Sequence, residues 1–400
     1  MVDDVAIAGA GPAGSLAALI LARAGLRVRL FDRARFPRHK LCGDTLNPGA
    51  RAVLQRHLDV APLVAMSDPI DGMILTGPRG VTVRAAYGNG IAGCAITREV
   101  LDHWLVSRAV DAGAALEENV SVTAPAVVDG TVAGLMVAHR GAEVLHRARI
   151  VIAADGRRSK VAIARGLSHQ PSRRRRWAIG SYFTGVPGDS RLGEMHVRQG
   201  HYIGVAPLPG GVTNACLVVP HTSGDEPLKA PANLLRRYLN DDPQLSSRFA
   251  NAQAMGPPTT LGPMAVEARA AGEPGLLLAG DAAGFIDPMT GDGLRFALRG
   301  AELAAAVALE ALAGDIPIER AHRHLAARRA EAFRRKWRFN RALRSLVASP
   351  AGVSGAAMMA AYVPSLFEGI IRYAGDCGVG SGEPGTENRR IPDPGSRIPT

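Results

Sequence analysis

The sequence predicts an α/β protein with three parts: a discontinuous Rossmann-like dinucleotide-binding domain, a second domain built on a mixed sheet, and a helical C-terminal region. A glycine-rich turn after the first apolar run predicts the first part, together with two later buried-strand patterns that end in Asp155-Gly156 and Gly280-Asp281. Short strands and turns between residues 169 and 265 predict the second part.

The glycine-rich turn has the spacing of a diphosphate-binding loop. The strand Val5–Ala8 leads into Gly9-Ala10-Gly11-Pro12-Ala13-Gly14 and then into a helix. Gly9 makes the tight turn, Gly11 lets the backbone approach the diphosphate, and Gly14 lets helix and strand pack closely. The free amides at the start of the helix would bind the diphosphate.

The next strand ends in an acid. Leu26–Phe31 reads as the second strand and is followed by Asp32. We expect this carboxylate to accept hydrogen bonds from the adenosine ribose hydroxyls, and an acid here disfavours a 2'-phosphate. A small-residue helix that merely packs tightly is the alternative interpretation of the glycines, and the acid after the second strand favours the nucleotide.

Composition bounds the class of protein. The 400 residues are 47% hydrophobic and can bury the core of two domains or one large composite. The uncharged stretch Val5–Ala22 follows two acids and is broken by glycines, so we interpret the chain as cytoplasmic rather than secreted. The cysteines are far apart and lack metal-ligand spacing, which predicts reduced thiols, no disulfide framework and no metal site (Cys42, Cys94, Cys216, Cys377).

The net charge of +11 comes almost entirely from arginine. One run covers Arg173–Arg176 and a second cluster extends from Arg320 to Arg344. No recognition motif or pattern of stacking aromatics accompanies them, which argues against nucleic-acid binding and favours solvated helix faces. Peripheral contact with anionic lipid is the alternative, because the uncharged stretch Ala351–Phe367 follows the second cluster.

Apolar periodicity and turn signals predict the remaining elements. The expected elements are helices at Asn47–His57, Arg98–Ala112, Pro231–Leu239 and Gly293–Ala313, inserted strands within Gly72–Ile96, a small antiparallel unit from Val120–Val137 and Glu143–Ala154, strands from Trp177 to Val219, and a buried strand at Gly275–Ala279.

Three motifs in this order resemble those of the FAD-dependent oxidoreductases of the aromatic hydroxylase and geranylgeranyl reductase superfamily. They are the glycine-rich turn, Ala154-Asp155-Gly156, and the stretch from Ala279 to Gly293, and the resemblance covers about residues 2–310. The segment Phe36–Gly43 resembles the one beside the flavin in the reductase and halogenase branches. Aromatic hydroxylases usually have a histidine where this chain has Gly284, so the chain is closer to the geranylgeranyl reductases.

The resemblance implies FAD as the resident cofactor and divides the chain into segments. FAD-binding parts are expected at residues 1–68, 97–168 and 266–315, substrate-domain strands at 69–96, a substrate-binding sheet at 169–265, a helical region at 316–376 and a disordered tail at 377–400. The implied cofactor-binding residues are Gly9, Gly11, Ala13, Gly14, Asp32, Arg33, Lys40, Cys42, Gly43, Arg98, Asp155, Gly156, Gly280, Asp281, Pro288, Gly291, Asp292 and Gly293.

By analogy with the superfamily, we expect an NAD(P)H-driven monooxygenase that hydroxylates a lipophilic polyketide, quinone or prenyl compound. The alternative is reduction of carbon–carbon double bonds, and a third interpretation is a non-enzymatic nucleotide-binding partner protein. NADH or NADPH would bind transiently, or a separate reductase would serve, because the chain has no second glycine fingerprint. The stretch His201–Pro209 contains no tryptophan, which argues against halogenation. The catalytic residues stay unassigned, with His196, His201 and Tyr202 as substrate-side candidates.

Overall fold

The computed structural model describes residues 2–88, 90–139, 141–171, 176–189, 191–220, 226–285, 288–347 and 349–376. Two large sheets with helices packed on both dominate this part of the chain, and it also contains one sheet of three short strands and one of two. The arginines at 173–175 and the tail that follows residue 376 lie outside the described residues, so the expectations for them stay predictions.

Within these ranges the strands are β1 (Asp3–Ala8), β2 (Val28–Phe31), β3 (Thr45–Leu46), β4 (Asp68–Ile70), β5 (Gly72–Thr76), β6 (Thr82–Ala86), β7 (Gly93–Ala95), β8 (Ala115–Glu117), β9 (Ser121–Val128), β10 (Thr131–His139), β11 (Ala142–Ala153), β12 (Ser168–His169), β13 (Arg176–Thr184), β14 (Leu192–Val197), β15 (Tyr202–Leu208), β16 (Val212–Pro220), β17 (Gln253–Ala254), β18 (Thr259–Leu261), β19 (Glu267–Ala268), β20 (Gly272–Glu273) and β21 (Leu276–Leu278).

The helices of the same ranges are α1 (Pro12–Arg23), α2 (Pro48–Gln55), α3 (Ala61–Ala65), α4 (Arg98–Asp111), α5 (Lys160–Ala164), α6 (Glu226–Lys229), α7 (Pro231–Asp241), α8 (Ser246–Phe249), α9 (Gly293–Ala313), α10 (Ala321–Val347), α11 (Pro350–Tyr362) and α12 (Pro364–Ala374). Short 3-10 turns occupy Pro78–Gly80, Gly280–Ala283, Pro288–Thr290 and Ile318–Arg320.

The first sheet has the order β20-β21-β11-β1-β2-β8, with β9 and β10 joined to β11 as an antiparallel unit. β1 lies between β2 and β11 and is parallel to both. The side chains of Val5 to Ala8 are 0% exposed because helices α1, α4 and α9 cover one face of the sheet and β9, β10 and α5 cover the other. A parallel sheet buried on both faces confirms the predicted Rossmann-like domain.

The second sheet has the order β17-β13-β16-β15-β14-β5-β6, and β18 pairs with β13. Its pairings are antiparallel except for β14 with β5, so the sheet is mixed, as predicted. Helices α7 and α8 pack on one face around Leu235 and Phe249, both buried. The other face looks toward the first sheet and builds the cavity described below.

Two element boundaries differ from the sequence prediction for local reasons. α2 begins at Pro48 because the Asn47 side chain caps it, accepting a hydrogen bond from the amide of Ala50 at 2.9 Å. β2 begins at Val28 rather than Leu26, because the turn that ends α1 continues through Gly25 and the amide of Leu26 still donates to Leu21.

Helices α10, α11 and α12 form the C-terminal region, and α11 and α12 pack against β6. Among the described residues no single helix is long and apolar enough to cross a membrane. α11 and α12 would meet that length and composition only as a pair, and the pair is bent by 112°. Cys42, Cys94 and Cys216 are free thiols, and Cys377 lies outside the described residues.

Candidate functional site: a cofactor-binding cleft

The loop between β1 and α1 is shaped by its glycines. Gly9 has a φ of +93°, and a Cβ there would lie 2.6 Å from the carbonyl oxygen of Ala154. A Cβ on Gly14 would overlap the carbonyl oxygen of Gly9. A larger residue at either position would break the packing of α1 against the sheet. These two glycines therefore shape the loop and are not themselves expected to contact the ligand.

Gly11 differs from the other two glycines. The atom nearest to a Cβ built on it is the Arg38 Nη2, 3.6 Å away, so the protein itself leaves room there. Gly11 is also the N-cap of α1 and provides no side-chain cap, and Pro12 follows as the first helical residue. The remaining amides of the first turn are therefore available for an anionic ligand, which fits a diphosphate.

Asp32, at the end of β2, is fixed by two backbone amides. Its carboxylate oxygens accept hydrogen bonds from the amides of Ala10 and Ala34, each at 2.9 Å, and the residue is 9% exposed. Each oxygen keeps a lone pair for a further donor. The arrangement places the acid directly beside the glycine loop, where a ribose hydroxyl bound near that loop could reach it.

Asp155 follows β11 and has an unpartnered oxygen. Its Oδ2 accepts the amide of Lys160 at 2.9 Å, whereas its buried Oδ1 has no hydrogen-bond partner. Burial raises the pKa of this carboxyl. Asp155 does not line the cavity described below, so it shapes the turn before Gly156, which does line that cavity.

The third motif forms the turn Gly280–Ala283 after β21 and packs on the start of α1. A Cβ on Gly280 would lie 3.0 Å from the Cβ of Ala13, so the turn and the glycine loop are in direct contact. Asp281 is partly exposed at this junction and lines the cavity. The three predicted FAD motifs therefore converge from distant parts of the sequence.

A single cavity of about 340 Å³ joins this junction to the second sheet and to the C-terminal helices. Most of the implied cofactor-binding residues line it: Gly11, Ala13, Lys40, Cys42, Gly43, Arg98, Gly156, Gly280, Asp281, Gly291 and Gly293. The second sheet contributes apolar side chains such as Met195 and Val218, and α11 and α12 contribute Val353 and Phe367. The cavity is therefore polar at the glycine loops and apolar beyond them.

Arg98 is held in place by a buried ion pair. Its guanidinium donates to both oxygens of Asp102 at 2.7 and 2.8 Å, and Arg38 contacts the same carboxylate at 3.0 Å. Asp102 is 0% exposed. This carboxylate raises the pKa of Arg98 against the opposing effect of burial, so Arg98 stays charged at the cavity wall.

Lys40 and Cys42 lie on the segment that resembles the flavin-side strand of the family. Burial lowers the pKa of Lys40 to about 8, and the nearby charge of Arg98 acts in the same direction. Burial raises the pKa of the Cys42 thiol, which is within hydrogen-bond reach of Arg98. Cys42 is therefore a neutral thiol on the cavity wall at neutral pH, with a cation beside it.

Sequence reasoning missed Asp44, which is fully buried beneath this segment. Its carboxylate accepts hydrogen bonds from Tyr182 on β13 at 2.8 Å and from Asn214 on β16 at 2.6 Å. Burial raises the pKa of Asp44 to about 6. The cluster joins the Lys40–Asp44 segment to the second sheet. No spacing in the sequence indicates a contact between residues so far apart, and only the fold reveals it.

Two substrate-side candidates face away from the cavity. His196 is 1% exposed, and its ring nitrogens contact Glu194 and Thr76 at 2.9 Å each. The ring of His201 packs edge-on against the ring of Tyr238 on α7, with the two ring centroids 4.5 Å apart. Tyr202 does line the cavity, because successive residues of a strand point to opposite faces of the sheet. The structure therefore corrects the assignment of the two histidines to the substrate side.

Other implied cofactor residues also lie off the cavity wall. Asp292 is 1% exposed and is enclosed by Asn47, Asn340 and Lys336 at 3.2 to 3.4 Å, so it holds α9 to its neighbours rather than facing a ligand. Arg33 is exposed and does not line the cavity. The side chain of Pro288 lies outside the part that the structure describes.

The fold and the cleft define an FAD-dependent oxidoreductase, and the FAD binding domain family matches residues 3–334. The digeranylgeranylglycerophospholipid reductase 2 of Methanopyrus kandleri is 32% identical over 78% of this chain and 78% of its own length. The corresponding reductase of Methanosarcina mazei is 29% identical over 84% of this chain and 80% of that protein. The chain belongs to the aromatic hydroxylase and geranylgeranyl reductase superfamily, and to its geranylgeranyl reductase-like branch.

Solved structures with the same fold include two that match nearly the whole chain. A geranylgeranyl bacteriochlorophyll reductase-like protein from Thermoplasma acidophilum has a TM-score of 0.76 at 24% identity and covers 90% of this chain and 91% of its own. A flavin-dependent brominase has a TM-score of 0.80 at 20% identity and covers 94% of both chains. At these identities the likeness supports the fold alone.

Proposed function

We propose that this protein reduces carbon–carbon double bonds of a prenyl lipid. The observation that carries the proposal is the one continuous cavity that begins at the glycine loops and extends along an apolar sheet face, in a chain whose relatives are named as reductases of geranylgeranyl lipids. This favours the alternative of the sequence analysis over hydroxylation. The relatives cover most of the chain, including the second sheet that would contact substrate.

The apolar part of the cavity suits a linear run of isoprene units. Its lining combines Met195 and Val218 of the second sheet with residues of α11 and α12. Gly204 and Ala206 lie on the cavity side, and because both residues are small, the middle of this sheet face leaves space for a ligand. Such a surface provides few hydrogen-bond partners for a polar substrate and excludes water around a hydrocarbon.

Saturating a double bond requires a hydride on one carbon and a proton on the other. Bound FAD, once reduced, would supply the hydride. The Cys42 thiol is our candidate for the proton, because burial keeps it protonated and it lies on the cavity wall. Transfer would form a C–H bond and leave a thiolate, which the adjacent Arg98 stabilises. Lys40, with its pKa of about 8, can return the proton to the thiolate.

The electron donor belongs to the same proposal. NADH or NADPH would bind transiently and reduce the cofactor, or a separate reductase would deliver the electrons. Since the sequence carries a single glycine fingerprint, a second resident nucleotide has no comparable loop to bind it.

The mass of the lipid product tests the proposed reaction. Purified yellow protein, reduced anaerobically by NADPH, NADH or dithionite, is mixed with a geranylgeranyl lipid, and each turnover should add two hydrogens per double bond. Addition of one oxygen atom, with oxygen consumption and a transient hydroperoxide absorbance, would instead establish a monooxygenase. Cys42→Ser should slow alkene reduction at unchanged FAD content, and Cys94→Ser, at a buried thiol away from the cavity, is the matched control.

A further inference from the structure

The bend between α11 and α12 exposes large apolar side chains. Met358, Met359 and Tyr362 lie near the end of α11, Val363 joins the two helices, and Leu366 lies in the first turn of α12. Their exposed fractions are 59%, 48%, 82%, 41% and 49%. We call these five residues the apolar tip. Five such residues within nine positions are more than the single scattered apolar residues of an ordinary protein surface, and they indicate an interaction site.

The same two helices are also apolar on their inner side. Ala356 and Ala360 of α11, with Phe367 and Ile370 of α12, line the cavity. No charged residue occurs between Arg344 and Glu368. A helix pair that is apolar toward both the interior and the solvent needs a second apolar environment on its outer side.

Positive charge borders this pair. α10, which leads into α11 and packs against it, carries eight arginines and a single acid, Glu331. Arg334, Arg335, Arg338 and Arg341 are exposed, and none of them has an acidic partner within the described ranges. Arg79, at the turn that contacts α11 from the second sheet, is exposed as well.

We propose that the apolar tip inserts into the interfacial region of an anionic lipid bilayer, while the arginines of α10 contact the headgroups. Apolar side chains next to unpaired cations are the combination that interfacial helices use. Because the inner side of the pair walls the cavity, docking would bring that wall to the membrane, and a prenyl lipid could enter without crossing water. This last step rests on the proposed function, whereas docking itself does not.

Two other occupants fit less well. A second copy of the chain, docked through the same surface, would place the arginines of one α10 near those of the other, and like charges would oppose the contact. The segment after Asp376 is rich in glycine and proline and offers only Val379, Ile391 and Ile398 as large aliphatic residues, too few to cover the tip.

Vesicle flotation of the FAD-loaded protein tests the docking without any turnover. The protein should float with vesicles of phosphatidylcholine and phosphatidylglycerol in equal parts and much less with phosphatidylcholine alone, and added salt should weaken binding. Tyr362→Ser with Leu366→Ser should lower the partition coefficient by about tenfold or more. Arg338→Gln and Arg341→Gln should each lower it by about fivefold, on anionic vesicles only.

The matched control replaces exposed apolar residues elsewhere. Val128→Ser and Val144→Ser lie on the antiparallel unit of the first sheet, are 46% and 57% exposed in the parent, and should leave flotation unchanged. Flotation that survives the tip substitutions would overturn the proposal. So would a concentration-dependent dimer that Tyr362→Ser dissociates and vesicles do not, because the surface would then bind a second copy. A membrane-bound protein that reduces no alkene would contradict the proposed function alone.

Discussion

The phenol of Tyr182 donates a hydrogen bond of 2.8 Å to the carboxylate of Asp44, and this contact joins the second sheet to the segment that carries Lys40 and Cys42. Asp44 is 0% exposed, and burial raises its pKa to about 6 although Tyr182 and Asn214 both favour the ionised form. The position of the segment thus depends on a carboxyl that titrates near neutral pH.

The first prediction concerns the pH dependence of stability. The folded-state pKa of Asp44, about 6, lies above the reference value of 3.8, so the folded protein binds this proton more tightly. The resulting contribution to the free energy of unfolding is about 3 kcal/mol for a shift of this size. It is fully present at pH values below the reference pKa and is lost as the pH rises through the folded-state pKa. Urea unfolding across this window should show the decline.

Asp44→Asn should flatten this part of the curve, because the titrating group is gone. Asp129→Asn is the matched control, since Asp129 is exposed and shares the positive φ, 49° against 51° for Asp44. An unchanged slope in the Asp44 variant would assign the pH dependence to another group.

The second prediction concerns the glycine loop. Gly11→Val should give folded protein without yellow colour, because the protein leaves room for the side chain and a bound diphosphate would not. Gly256→Val, at a site with no atom within 4 Å of the added Cβ, is the control and should retain FAD. Absorbance of the purified proteins measures occupancy, and full occupancy in the Gly11 variant would exclude this loop as the diphosphate site.

The third prediction concerns the buried ion pair. Asp102→Asn leaves the guanidinium of Arg98 buried without its carboxylate and should lower the free energy of unfolding by about 3 to 5 kcal/mol. Asp111→Asn removes the 59% exposed partner of Arg108 on the same helix. This substitution should change the free energy of unfolding by less than about 1 kcal/mol. Equal effects in urea unfolding would show that burial of the pair does not matter.

The fourth prediction concerns the pH dependence of FAD affinity. Lys40 is charged below its pKa of about 8 and would attract the anionic cofactor, so affinity should fall as the pH rises through this value. Lys40→Gln should remove that dependence, whereas Lys160→Gln, at an exposed lysine, should retain it. Fluorescence titration at several pH values gives the dissociation constants, and an identical pH profile in both variants would rule out Lys40.

The cofactor half of the site could be predicted from the sequence because its signals are local. Strand, glycine turn, helix and acid occur within a short stretch, and the backbone geometry of each turn restricts the residue types allowed. The predicted helix at Gly293–Ala313 has the same bounds in the structure. The fold class was predictable for the same reason.

The substrate half was less predictable because its contacts join residues distant in sequence. The orientation of His196 depends on strand register and on Glu194, neither of which the sequence specifies. The participation of α11 and α12 in the cavity wall was equally hidden, since apolar composition alone does not say which surface a helix covers.

The far end of α12 is fastened to α10, because the ammonium of Lys336 donates to the carbonyl oxygens of Tyr373 and Ala374. Removing this last helix would therefore open the apolar part of the cavity while sparing the nucleotide loops. Under the proposed function, selectivity for longer or shorter hydrocarbon chains can consequently diverge through changes in α11 and α12 alone, with the redox half of the molecule kept intact.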